Sequence, residues 1–410
     1  MTARLLAKVS CLSSLLRCFA VTLAVLICPV LFIYSYRGVS QSSRPQSAFR
    51  EAWDIVHNQD AGKAEKALAP FLRDRGLGHE YLLLDSAICL KHGDHEAAML
   101  RLNQVEATGP VREQWLQLLG QCQLRSRNEA EAETTLLQLA SEYPENFDAH
   151  YLLGSIYYEL GMFGQSLYQL KEAGRLRSSD PRPHAIIGAA LFLYGRYKQA
   201  AESYEQAVRA SLPKVPEEIV TALIRCRLLE NNFQAADSLI SEHREYAAAL
   251  RSLKAECLWA MGQLEEAEQI CKAILNEDEE NRDATVLLTK ISIQADRRST
   301  ITPQIERLEK ILSKKPFDNE TRYLLFQCLQ KQGDRTRQQL ELSKIEEFRV
   351  LQARQGQLLN HIWAHPEDAQ ARSELADIAE KQGRPEDVFR WKRSADGCRR
   401  RIERLSPPGQ

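Results

Sequence analysis

The stretch NFDAHYLLGSIYYELGMFGQSLYQLKEAG, residues 146–174, decides the reading of this chain. Leu153, Ile156 and Tyr157 recur at the intervals of one helix face. Gly161 stands where that first helix ends, a place for a residue that tolerates left-handed φ. A second helix follows. Gly154 on the first and Ser166 on the second are small, as two helices in close approach require. Shifted by 34 residues, the chain overlays on itself: Gly120, Gly154 and Gly188 align, as do Ala132, Ser166 and Ala200, Gly161 and Gly195, and Pro110 and Pro144. A glycine inside a helix costs about 1 kcal/mol relative to alanine. Three in one register point to packing that offsets the cost. A 34-residue period of this kind predicts helix–turn–helix units that bury their apolar faces on one another.

In these residues the chain resembles the tetratricopeptide repeat family. The unit starting at Pro181 carries Ile187, Gly188, Leu191, Gly195, Tyr197, Ala200, Tyr204 and Ala207 at that family's apolar, small and turn positions. The unit from Glu113 carries Leu116, Leu119, Gly120, Ala132, Leu136 and Pro144, with Arg127 where the family has glycine. The resemblance covers roughly four fifths of the chain. It implies an all-α fold, a right-handed α-solenoid of helix pairs.

Units begin near Pro45, His79, Glu113, Phe147 and Pro181, and more loosely near Glu217 and Ala248. Residues 45–284 therefore read as a regular array. Residues 285–368 read as degenerate units with a long helix: Gln304, Phe326 and Gln338 replace small residues, one second helix opens at Pro303, and nothing breaks the run from Asp334 to His365. Residues 369–410 read as a last repeat-like unit, with Leu375, Ala376, Ala379 and Gly383, and a basic tail.

The beginning differs. Residues 18–36 contain no charge, and 19 residues of helix span about 28 Å, near the thickness of a bilayer core. A cleaved signal peptide wants a shorter apolar core and a small-x-small site. Gly38-Val39-Ser40 is a weak candidate, and Ile27 before Cys28 disfavours a lipoprotein site. The reading is a single transmembrane signal anchor at 18–36, after a short cytoplasmic tail at 1–17 and before a polar linker at 37–44. Arg4, Lys8 and Arg17 precede the span, and Arg37, Arg44 and Arg50 follow it. The short tail with its free amino group favours the N-terminus inside. The chain is thus expected to be a single-pass protein of a bacterial inner or plasma membrane, with its repeats in the periplasm or another extracytoplasmic space.

Chemistry is sparse. A net charge of -1 offers no pull toward nucleic acid, so none is expected as partner. There is no Walker loop, no G-x-S-x-G and no H-E-x-x-H, so no enzyme is read and no catalytic residue assigned. No Cys-x-x-Cys occurs among the ten cysteines. Cys122, Cys226, Cys257 and Cys328 fall at one place in their first helices, which reads as packing. His92 and His95 flank an inter-helix turn, and His361 and His365 lie one helical turn apart without a third ligand, so neither metal nor cofactor is expected. The arginines and lysines after Arg390 read as a solvated end helix.

The resemblance points instead to the concave face formed by the first helices. Members that hold a terminal carboxylate there share a lysine and an asparagine. The matching positions here are Leu83, Gln117, Tyr151 and Ala185, and Ala87, Gln121, Ser155 and Ala189, so that clamp is absent. The groove reads as aromatic and apolar with a polar rim: Tyr151, Tyr158, Phe192 and Leu193, with Gln117, Gln121, Arg125, Glu159, Arg182 and Arg225. Such a surface suits a protein or peptide partner. The expected function is a membrane-anchored scaffold for protein–protein interactions, an assembly or secretion accessory factor. The alternative is a regulatory subunit that docks a catalytic partner.

Overall fold

The computed structural model describes residues 49–56, 62–63, 66, 78–297 and 300–405. The expected anchor and linker lie outside the described residues. Among the described residues every regular element is helical, and no helix is long and apolar enough to cross a membrane. The chain divides into two compact units, residues 1–128 and 129–410.

In the first unit the helical residues 49–56 precede α1 (Gly78–Lys91), α2 (His95–Leu102), a 3-10 turn at Gly109–Val111 and α3 (Arg112–Arg125). Their core joins Phe49, Val56, Leu83, Leu84, Leu102 and Leu118.

The second unit continues the alternation with α4 (Glu129–Glu142), α5 (Phe147–Glu159), α6 (Phe163–Leu176), α7 (Pro181–Leu193), α8 (Tyr197–Ser211), α9 (Glu217–Leu229) and α10 (Phe233–Glu242). After these come α11 (Ala247–Ala260), α12 (Leu264–Glu277), α13 (Arg282–Gln294), α14 (Ile301–Lys314), α15 (Asn319–Gln332), α16 (Arg335–Ala364), α17 (Ala369–Lys381) and α18 (Pro385–Leu405). Within each unit every helix packs on the next, so the all-α paired arrangement implied by the period is present.

Three local devices recur in the pairs. Asp or Asn caps open many helices: Asn146 accepts from the Ala149 N–H, Asn281 from Ala284 and Asp318 from Thr321, each taking up an otherwise orphaned donor. A residue with positive φ turns each first helix into its second: Gly93, Arg127, Gly161, Gly195, Asn231, Gly262, Asp296, Gly333 and Gly383. Where the repeat lacks glycine the turn keeps the same backbone, with φ of 58° at Arg127. Small residues let the helices touch. The buried Ser166 hydroxyl donates to the Gly154 carbonyl at 2.8 Å, and a Cβ on Gly188 would meet the Tyr204 ring at 2.9 Å.

The degenerate units solve the same contact differently. Gln304 is buried and accepts from the Thr289 hydroxyl at 3.3 Å, so a polar pair fills the place of a small residue. Pro303 is the third residue of α14; that helix opens at Ile301, with Thr300 at its cap.

The last pair does not simply extend the stack. α17 and α18 pack back on the start of the unit. Phe163 and Ala190 share one core with Leu358, Ile362, Leu375, Ile378 and Trp391. The second unit therefore closes on itself.

Candidate functional site

Two faces of the second unit follow from this arrangement. One is covered by the chain itself; the other is open.

The covered face lies at the ends of α5 and α7 and their turns. Tyr158 stands edge-on to Phe163 at 5.8 Å, Phe163 to Tyr194 at 4.9 Å, and Tyr194 to Trp363 of α16 at 4.7 Å. Trp391 of α18 lies over Gly161, where an added Cβ would come within 3.0 Å of its ring. Burial among these rings pushes the Tyr158 and Tyr194 phenols up from their ordinary value. At the centre sits Arg372 of α17, wholly buried. Its guanidinium donates to the Ser394 hydroxyl at 2.9 Å, to the Gly161 carbonyl at 3.3 Å and to the Asp368 carbonyl at 2.8 Å.

The open face is a groove of about 370 Å³ across α7, α9, α11 and α13. Phe192, Leu229 and Leu253 supply apolar surface, and Arg225, Glu256 and Lys290 supply charge. One wall is neutralised within itself. Arg282 pairs with Asp318 and Glu320, both at 2.7 Å, and Lys290 pairs with Glu320 at 2.7 Å. Arg225 and Glu256, both exposed, make no hydrogen bond or ion pair among the described residues. The groove walls exclude much of the bulk water around Glu256. That desolvation pushes its carboxyl above the usual range, and Lys290 offsets it in part.

The residues singled out in the sequence are distributed as follows. In the first unit Gln117 is buried, while Gln121 and Arg125 line a separate pocket of about 130 Å³ with Val56, Ala87 and Leu90. In the second unit Tyr151 stacks on Phe147 at 5.7 Å, with the Arg182 guanidinium over its ring at 4.5 Å. Arg182 is itself held by Asp180 at 2.7 Å. Tyr158 belongs to the covered face, and Glu159 is exposed beside it. Phe192 and Arg225 line the open groove. Leu193 is 41% exposed.

Sequence reasoning missed Glu256. It stands immediately before Cys257 as Arg225 stands before Cys226, so the register that places the cysteines would have found it. Lys290 carries no such signal, because its approach depends on how α11 and α13 stack.

Comparison with known proteins agrees with the helix pairs. Two family profiles, both described as tetratricopeptide repeat, match residues 118–181 and 237–291. An uncharacterized TPR repeat-containing protein of Arabidopsis thaliana is 34% identical over 67 residues, 16% of this chain and 8% of that protein. The chain thus spans less than a tenth of the length of that relative. A tetratricopeptide repeat protein from Parabacteroides merdae is similar at 18% identity over 62% of this chain and 99% of its own, with a TM-score of 0.41. The C-terminal part of a TPR repeat-containing protein from Cytophaga hutchinsonii is similar at 14% identity over 58% and 99%, with a TM-score of 0.45. The two matched segments, residues 118–181 and 237–291, thus carry tetratricopeptide repeats.

Proposed function

We propose that this repeat protein is a non-catalytic scaffold that docks a peptide segment of a partner protein in the open groove of α7, α9, α11 and α13. The observation that carries the reading is the pair Arg225 and Glu256, two opposite charges that no hydrogen bond or close ion pair holds among the described residues, beside the exposed Leu229 in a groove of about 370 Å³. A peptide that offers a carboxylate to Arg225, a donor to Glu256 and an apolar side chain to Phe192 and Leu229 satisfies all of them at once. Charged hydrogen bonds of this kind give specificity, and the apolar contact gives affinity. Membrane attachment through residues 18–36, with the repeats held outside the cytoplasm in a right-handed stack, belongs to the same proposal. It rests on the charge-free run of 19 residues. An accessory role in assembly or secretion fits an anchored scaffold of this kind.

A library of random peptides displayed on phage and selected on the full-length protein tests the groove. Selected peptides are expected to pair an acidic residue with a bulky apolar one. They should lose at least about tenfold in affinity to Arg225→Ala and to Glu256→Gln, the effect of one charged hydrogen bond. Peptides that bind the Arg225→Ala/Leu229→Ala/Glu256→Gln protein as well as the wild type would remove the groove from the proposal.

A further inference from the structure

We infer that α17 and α18 form a detachable latch, and that the face they cover at the ends of α5 and α7 is a reversible docking surface for them. Three observations carry this.

The first is how the pair is tethered. Between Ile345 and Leu358, both buried, α16 contains no buried residue. Only Phe348, Leu351 and Gln355 are half-buried there, and a helix segment that is mostly polar and solvated is a connector that adds little core. Toward α14 and α15, the Phe317 ring meets Gly383 and remains 47% exposed. The exposed Arg354–Glu374 pair at 2.6 Å is of the kind that contributes little. The last turns of α16 share the core of α17 and α18, but that core is separate from the one that joins α13, α14 and α15.

The second is the chemistry under the latch. Arg372 is 0% exposed, yet its contacts are carbonyls and a hydroxyl, with no carboxylate. Two of those carbonyls, Leu160 and Gly161, end α5, where the helix dipole is negative. Ser394 donates to the Leu160 carbonyl as well. The Tyr194 hydroxyl beside them is buried without a hydrogen-bond partner among the described residues. A buried charge and a buried unpaired hydroxyl both regain water when the latch lifts, which offsets part of the apolar area exposed. An interface of this composition is fitted to open and to reclose in one register. Rings alone would fit many registers.

The third is the rim. Arg393 pairs with Glu129, and Arg401 with Glu133 at 3.1 Å. Glu133 also accepts from the Tyr157 hydroxyl at 2.9 Å. Two cations on α18 thus meet two carboxylates on α4, a steering contact that salt weakens. Lifting the latch presents two free carbonyls, an uncovered Gly161 and the rings of Tyr158, Phe163 and Tyr194. The occupant that satisfies them is a helix pair bearing a buried cation and a flat aromatic, which α17 and α18 are.

Hydrogen exchange on the full-length protein in detergent tests the latch. Residues 369–405 and 156–164 should share one protection level, lower than that of residues 217–294. The Arg393→Glu/Arg401→Glu variant should speed exchange in both segments together by roughly tenfold, the combined effect of two partly exposed ion pairs. Residues 217–294 should not change. Trp391→Ala should reproduce the pattern without altering charge, and raising the salt should move the wild type in the same direction. Three results would overturn the latch: equal protection of 369–405 and 217–294 in the wild type, faster exchange in 369–405 without 156–164, or a loss that spreads equally through 217–294.

Discussion

Gly154 lies against Leu170 so closely that a Cβ on the glycine would stand 2.6 Å from Leu170 Cγ and 3.2 Å from its backbone nitrogen. Leu170 is wholly buried, and its backbone belongs to α6, so neither can retreat. Gly154→Ala gains up to about 1 kcal/mol of helix propensity. It forces an overlap whose cost is typically about 1–3 kcal/mol. A net loss of about 1 kcal/mol is expected as a lower urea midpoint. Glu159→Ala, at an exposed position on the same helix, should shift the midpoint by less than about 0.5 kcal/mol.

The turn residues give a test of opposite sign. Arg127 holds φ at 58° where Gly161 and Gly195 hold 64° and 68°. A side chain in that region costs about 1 kcal/mol. Arg127 is exposed. Arg127→Gly should therefore raise stability by about 0.5–1 kcal/mol, read in urea or by thermal melting. Equal stability would mean that another interaction of Arg127 balances the strain.

Asp318 predicts an acid-labile contribution. Burial alone would raise its carboxyl, but Arg282 and the N–H and hydroxyl of Thr321 outweigh it and hold the group down to about 2. A carboxyl held below its unfolded value stabilises fully above about pH 4 and loses that contribution as pH falls through the folded value. The wild type should exceed Asp318→Asn by about 1–2 kcal/mol at pH 7, after allowance for screening. The gap should narrow steadily between about pH 4 and pH 2. A gap independent of pH would assign the effect to helix capping alone.

The cysteines should be chemically quiet. Burial pushes the thiols of Cys122, Cys226 and Cys271 up to about 12 and those of Cys257 and Cys328 up to about 11. All five are free, and among the described cysteines Cys89 is the half-buried one. A maleimide at pH 8 should label Cys89 in the native protein before any of these five, which should react together on unfolding. Early labelling of Cys257 or Cys271 would indicate local opening of the α11–α12 pair.

The proposed anchor has its own test. The full chain should stay with membranes through alkaline carbonate extraction, and a chain starting at Pro45 should be released. Protease added outside spheroplasts should digest the repeats and leave an N-terminal fragment in the membrane. Full protection would place the repeats in the cytoplasm.

The sequence by itself determined what repeats at short range. Gly154, Ser166 and Gly161 are legible because close approach and positive φ restrict residue type at a single position, and the period of 34 prints each restriction again. Arg225 was legible for the same reason, since a helix face follows from register. Only the tertiary structure decided which part of that face is open. Arg372 reaches the Gly161 carbonyl across a separation of 211 residues. Nothing periodic marks it: in the sequence it reads as an ordinary polar residue of a late helix. Tyr158 and Phe192 read alike as groove aromatics, yet one lies under the chain's own C-terminal pair and the other lines open space. The reason is physical. Local conformation is set by sterics within a few residues, whereas closure depends on the summed geometry of every stacked pair between α5 and α17, and no single residue carries that sum.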